Sequence, residues 1–167
     1  MSASQDDDHS SAADARQRLA ERVRTHMAAD DAALALLGMQ VVAVGPGSAT
    51  VEMTVHPQML NGHATCHGGL IATLADTAFA YACNSHNELT VASGFSIDLV
   101  APARQGDQLR AACAERSKAG RTGLYDVAVT NQRGEAVAWF RGRSHTAKGR
   151  ALVDADEAAS ARDGARR

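Results

Sequence analysis

Residues 61–84 read NGHATCHGGLIATLADTAFAYACN. From Gly69 onward this stretch holds one charge, Asp76, in an otherwise apolar and small-residue helical pattern. A helix with so little polarity is expected to be buried over most of its circumference, and burying an ionisable group without a partner or a purpose costs free energy. At about 100° per residue, Leu70, Ile71, Leu74, Ala78 and Ala82 share one stripe, while Asp76 lies roughly opposite among Ala72, Thr73 and Ala80. Small neighbours on that face give room for another backbone, a second subunit or a ligand.

Two structural roles are open to the acid: facing solvent, or hydrogen-bonding Thr73 or Thr77. The segment before the helix adds a third. Asn61, His63, Cys66, His67, Gly68 and Gly69 gather polar groups and two glycines at the helix start. Glycines there let a ligand approach the backbone, and the first N–H groups of a helix have no intrahelical acceptor. Such donors, at the positive end of the helix dipole, are suited to polarise a carbonyl and hold a developing oxyanion. Gly68 and Asp76 are about 12 Å apart along the axis at 1.5 Å per residue, too far for one chain's acid to reach a carbonyl held at its own helix start. Two antiparallel helices of a symmetric dimer would bring each Asp76 to the other's Gly68.

Working outward, 13–30 (ADARQRLAERVRTHMAAD) places Leu19, Val23 and Met27 four apart, one face of a helix ending near Asp30. A short helix stopping at Gly38 follows. Then the period changes to two: Ala49, Val51, Met53 and Val55 alternate with Thr50, Glu52 and Thr54 after the turn Gly45-Pro46-Gly47-Ser48. Beyond the central helix, 90–103, 107–117, 121–132 and 135–147 each read as a strand, with turn signals between them. Two strands, one long helix and four strands indicate an α+β fold, an antiparallel sheet curled around the helix, rather than alternating βαβ units.

The 167 residues suit one domain, taken as 14–147, with polar tails at 1–13 and 148–167. No apolar run approaches the roughly 20 residues of a membrane span. A net charge of −2 gives no global pull toward nucleic acid or an anionic membrane. Cys66, Cys83 and Cys113 are odd in number and scattered, and MSASQDDDHSS does not read as a secretory signal, so a cytoplasmic location is expected.

NGHATCHGGLIATLADTAFAYACN, followed by TVASGFSIDLVAPARQGD and ERSKAGRTGLYDVAVTNQRGEAVAWFRGRS, resembles the hotdog-fold acyl-CoA thioesterases of the phenylacetate-degradation type over roughly residues 34–147. The resemblance implies a curved antiparallel sheet around a central helix, a dimer with a continuous sheet, and dimers paired into tetramers. It implies that Asp76 is the catalytic carboxylate, as general base or nucleophile, and that Gly68 N–H binds the thioester carbonyl from the partner subunit. Asn61 then positions the water or carboxylate, and His67 orients the site. A phenylacetyl-type aromatic acyl-CoA is the expected substrate, and no metal or cofactor is required. A hydratase or dehydratase on the same fold and a non-catalytic acyl-CoA binder are the alternatives.

Arg116, Lys118 and Arg121 surround a glycine-containing turn. They are either a solvated hairpin tip or an anion site, which by the resemblance would take the phosphates of coenzyme A. Cys66 and His67 fall on opposite sides of an extended chain, which argues against a metal or thiol site. Phe95 and Phe79 are candidates to touch an aromatic acyl group. Arg141 and Arg143 share a face of the last strand and read as an exposed edge.

Overall fold

A computed structural model describes residues 3–154. Its elements run α1 (Ala3–Asp30), α2 (Ala32–Leu37), β1 (Gln40–Gly45), β2 (Ser48–Thr54), α3 (Gly68–Asn84), β3 (Thr90–Leu99), β4 (Gln108–Ala119), β5 (Thr122–Thr130) and β6 (Ala136–Thr146). The six strands form one antiparallel sheet in the order β1-β2-β4-β5-β6-β3, and α3 packs against every strand of it. This is the hotdog arrangement.

Local chemistry sets the element ends. Asp31 Oδ1 accepts from Ala33 N to cap α2, and Gly38, at φ 63°, closes it with its N–H on Leu34 O. The β1–β2 hairpin turns on Pro46 and Gly47, the latter at φ 70°, the left-handed value that a type II turn demands after proline. In β2 the alternation is complete: Ala49, Val51 and Met53 are buried beneath the sheet, with Val55 continuing the row just past its end.

The core lies between α3 and the concave face. Phe79 sits among Tyr125 and Phe140, with ring centroids 5.4 and 5.8 Å away in tilted contacts. A Cβ on Gly142 would come within 2.9 Å of the Phe79 ring, so that strand position has to stay bare. Helix α1 covers the other side of α3 and β1 with Ala20 and Val23, and Met27 packs on the same face.

Three expectations are changed. α1 starts at Ala3 rather than near residue 14; the stretch 2–15 has no glycine or proline to stop a helix. The expected tail 148–167 is held over its described part: Asn87 Oδ1 accepts from Leu152 N and Val153 N, and Asn87 Nδ2 donates to Val153 O. Residues 155–167 lie outside the described residues. Arg141 and Arg143 are exposed, yet β6 lies inside the sheet; the edges are β1 and β3.

Candidate active site

The segment leading into α3 is a closed loop. Leu60 and Cys66 pair as an antiparallel bridge, and Asn61 N donates to Thr65 O at 2.8 Å between them. Asn61 Oδ1 accepts from His63 N (2.9 Å), Thr65 N (3.3 Å) and Thr65 Oγ1 (3.2 Å). Ala64 takes the left-handed φ of 56° inside this loop, a strained value for a residue with a Cβ. Cys66 N on Ala103 O and His67 N on Met59 O, each 2.8 Å, tie the loop to its neighbours.

Helix α3 then begins with an unequal distribution of donors. Leu70 N and Ile71 N turn back to His67 O, and Gly69 N donates to His67 Nδ1 at 3.4 Å. His67 is thus the N-cap, and as the acceptor in that bond Nδ1 leaves the ring proton on Nε2. Gly68 N–H has no acceptor among the described residues. A Cβ on Gly68 would stand 2.5 Å from Leu99 Cδ1, the far end of an exposed side chain, so the glycine lets Leu99 lie close against this stretch of backbone. Asn61, Thr65, Gly68, Ile71 and Leu99 line one cleft beside it.

Asp76 occupies the half-buried face of α3 with Ala72, Thr73 and Ala80, as the periodicity predicts. The suggested bonds to its threonine neighbours do not form, and the solvent-facing role holds only in part, since the residue is half-buried. Thr73 Oγ1 donates to Gly69 O (2.9 Å) and Thr77 Oγ1 to Thr73 O (2.8 Å), so both hydroxyl protons are spent on backbone carbonyls. The carboxylate has no hydrogen bond or ion pair among the described residues and is not open to solvent on all sides. Burial pushes its pKa up from the ordinary aspartate value. It does not line the cleft at Gly68, in keeping with two helical turns of separation.

The cations of the β4–β5 hairpin are not pooled. Arg116 Nε donates to Asp126 Oδ2 (3.0 Å) on the outer sheet face, where Asp126 also receives Arg141. Lys118 pairs with Glu88. Arg121 donates to Thr146 O (3.2 Å) and to His145 Nε2 (2.7 Å). Phe79 is sealed in the core and does not face a ligand, whereas Phe95, 45% exposed on edge strand β3, stacks on Phe140 at 4.8 Å. Cys66 is buried and burial pushes its thiol pKa up, which keeps it protonated and unreactive.

Two contributors escaped the sequence reading. Thr65 had a legible signal, an Asn four residues ahead of it in a glycine-containing turn. Leu99 had none, because its contact with Gly68 joins positions far apart in the chain.

Residues 63–138 match the family model described as Thioesterase superfamily. The chain is 48% identical over 116 residues to acyl-coenzyme A thioesterase PaaI of Escherichia coli K12, covering 70% of this chain and 83% of that protein. The solved structure of the E. coli PaaI protein from the phenylacetic acid degradation operon superimposes with a TM-score of 0.79 at 44% identity, over 80% of this chain and 97% of that one. A Streptococcus mutans protein solved bound to acetyl CoA matches with a TM-score of 0.65 at 27% identity, over 67% of this chain and 90% of that one. With its sheet curled on a single apolar helix and this degree of likeness, the chain belongs to the thioesterase superfamily, in the hotdog-fold group of PaaI-type acyl-coenzyme A thioesterases, and is a thioester hydrolase.

Proposed function

We propose that the protein hydrolyses an aromatic, phenylacetyl-type acyl-CoA, with the thioester carbonyl held by Gly68 N–H of one subunit and attacked with the help of Asp76 from the other. The observation that carries this reading is that, among the described residues, the Gly68 amide has no acceptor and the one carboxylate of its helix, two turns on, is half-buried and has no partner. Each group lacks what the other's substrate contact would supply, and a two-fold pairing of antiparallel α3 helices is the simplest way to join them. Edge strand β3 supports such a pairing, since Val91, Phe95 and Leu99 are exposed along it.

A thioester needs little help to react: its thiolate leaves readily, and an oriented carboxylate with one or two N–H donors suffices. Water supplies a hydroxyl to the acyl carbon and a proton to the sulfur, giving free acid and the thiol of coenzyme A. Asp76 either takes the water's proton or attacks the carbonyl itself. Burial raises its pKa, which makes its carboxylate a stronger base than that of an exposed aspartate. His67, fixed as N-cap next to the Gly68 amide, is the residue placed to orient the site mouth. Phe95, at the open end of the aromatic row Tyr125-Phe79-Phe140-Phe95, is the ring available to an aryl acyl group. Lys118 and Arg121 flank the β4–β5 turn and are the candidates for the coenzyme A phosphates once they exchange their present partners; Arg116, engaged on the outer face, is the least favoured of the three.

The test is thiol release from a panel of aromatic and aliphatic acyl-CoA esters. Phenylacetyl-type esters should give the highest kcat/KM, and Asp76→Ala should remove most of the turnover while the oligomer persists in gel filtration. Full hydrolysis by that variant removes the assigned role, and a monomeric, fully active wild type removes the shared site.

A further inference from the structure

The side chain of Asn61 has two ends, and the loop uses only one of them. Its Oδ1 accepts three hydrogen bonds, from His63 N, Thr65 N and Thr65 Oγ1. An amide oxygen has two lone pairs, so this end has no capacity left for a water or a substrate donor. Nδ2 has no acceptor among the described residues and no buried side-chain nitrogen or oxygen is left unsatisfied, so this NH2 reaches solvent, on a residue that lines one cleft with Gly68 and Leu99.

We infer that Thr65 is a positioning residue that locks the Asn61 amide so that only its NH2 reaches the reacting groups, making Asn61 a hydrogen-bond donor to an oxygen and never an acceptor. Resting on the acyl-CoA reading above, this narrows the role of Asn61. Its partner in the assembled site is a carboxylate or carbonyl oxygen, and it does not accept a proton from the attacking water. Two of the three donors on Oδ1 are backbone amides that the loop supplies regardless of side chain. The Thr65 hydroxyl is the one donor a substitution can remove. Without it, the amide is held by two bonds, one of them 3.3 Å long, and rotation that exposes Oδ1 to the cleft becomes less costly. The left-handed Ala64 lies between Asn61 and Thr65 and keeps the hydroxyl folded back onto the amide.

Three variants test this in the full-length oligomer with the best acyl-CoA of the panel. Thr65→Val keeps the β-branched shape and removes the hydroxyl; kcat should fall about tenfold, less than the roughly hundredfold of an ångström-scale misplacement, with KM within about twofold. Thr65→Ser should restore kcat to near the wild-type value, which a packing role for the threonine methyl would not allow. Asn61→Asp keeps Oδ1 for the same three donors and so keeps the loop, but turns the free donor into an acceptor. It should retain the wild-type Tm within a few degrees and lose at least about a hundredfold in kcat. A Thr65→Val enzyme with wild-type kcat, or an Asn61→Asp enzyme that works as well as the wild type, overturns the inference and leaves the thioesterase reading standing. A wild type that releases no thiol from any acyl-CoA overturns both.

Discussion

The two ends of α3 treat polar groups in opposite ways. At the C-terminal end nearly every donor and acceptor is matched: Asn84 Nδ2 donates to Ala80 O and Thr90 O, Asn84 Oδ1 accepts from Thr90 N, and Ser85 Oγ bridges Ala82 O and Gly47 N. Beside it Glu115 Oε2 receives Tyr125 OH (2.7 Å) and His86 Nε2 (2.8 Å). At the N-terminal end Gly68 N–H and Asn61 Nδ2 are unspent among the described residues, Ala64 is strained, and two turns along, Asp76 has no partner among them. One end anchors the helix in the sheet; the other leaves polar groups unspent, at a cost to the fold, and these are the groups that the proposed reading assigns to a ligand.

The largest expected effect comes from Asp76→Asn. Turnover should fall by about 10² to 10⁴, while the protein becomes no less stable. The sign follows from the raised pKa: ionising this acid is harder in the folded chain, so its charge destabilises the fold above the folded pKa, progressively less as pH falls toward the ordinary carboxylate value near 4, and not at all below it. Thermal unfolding of both proteins across pH 3 to 8 should show the variant with the higher Tm at neutral pH and the two curves converging in acid. A less stable variant at neutral pH would mean that Asp76 holds the structure together, and the contrast between the two ends would collapse.

Asn84→Ala attacks the other end. It strands Thr90 N and Thr90 O in a buried site, and urea titration should show a loss of about 2–3 kcal/mol, with kcat of the folded enzyme nearly unchanged. A stronger effect on kcat than on stability would break the division of labour between the ends.

Glu115→Gln is smaller, about 1 kcal/mol, and depends on pH. Burial pushes the Glu115 carboxyl up, but the bonds from Tyr125 and His86 outweigh it and hold the pKa below the usual value. A lowered pKa contributes stability that is complete above the unfolded value and lost as pH falls through the folded one. The Tm gap between wild type and variant should therefore be widest above about pH 5 and close in acid; a gap that widens in acid would contradict it. Smallest of all, Ala64→Gly should relieve the left-handed strain at the site loop and raise stability by less than about 1 kcal/mol. A clear loss would show that Ala64 contributes a contact beyond its backbone angle.

Much of this contrast was legible in the chain. The half-buried face of α3, with Asp76 among Ala72, Thr73 and Ala80, follows from helical period alone, and the helix stops at Asp30 and Gly38 follow from local cap chemistry. The direction of the threonine hydroxyls did not follow. Thr73 and Thr77 can serve a carboxylate or a carbonyl one turn back with equal chemistry, and only the folded rotamer chose the carbonyl. Strand alternation alone would put Arg116 and Lys118 on one face, yet a bulge between Glu115 and Ser117 breaks the alternation and they take different partners. Phe79 and Phe95 looked equivalent as acyl contacts until one proved to be core and the other edge.

By itself the sequence determined the period of each segment, the turns between them, the apolar helix with its single acid and the glycines that open its start, because these depend on steric and hydrophobic rules acting over a few residues. Only the tertiary structure decided that β3 pairs outside β6, that Leu99 comes to rest over Gly68, and that the Gly68 amide lacks an acceptor among the described residues. Those facts join residues far apart in the chain, and such contacts are set by how the whole sheet closes around the helix rather than by any local preference.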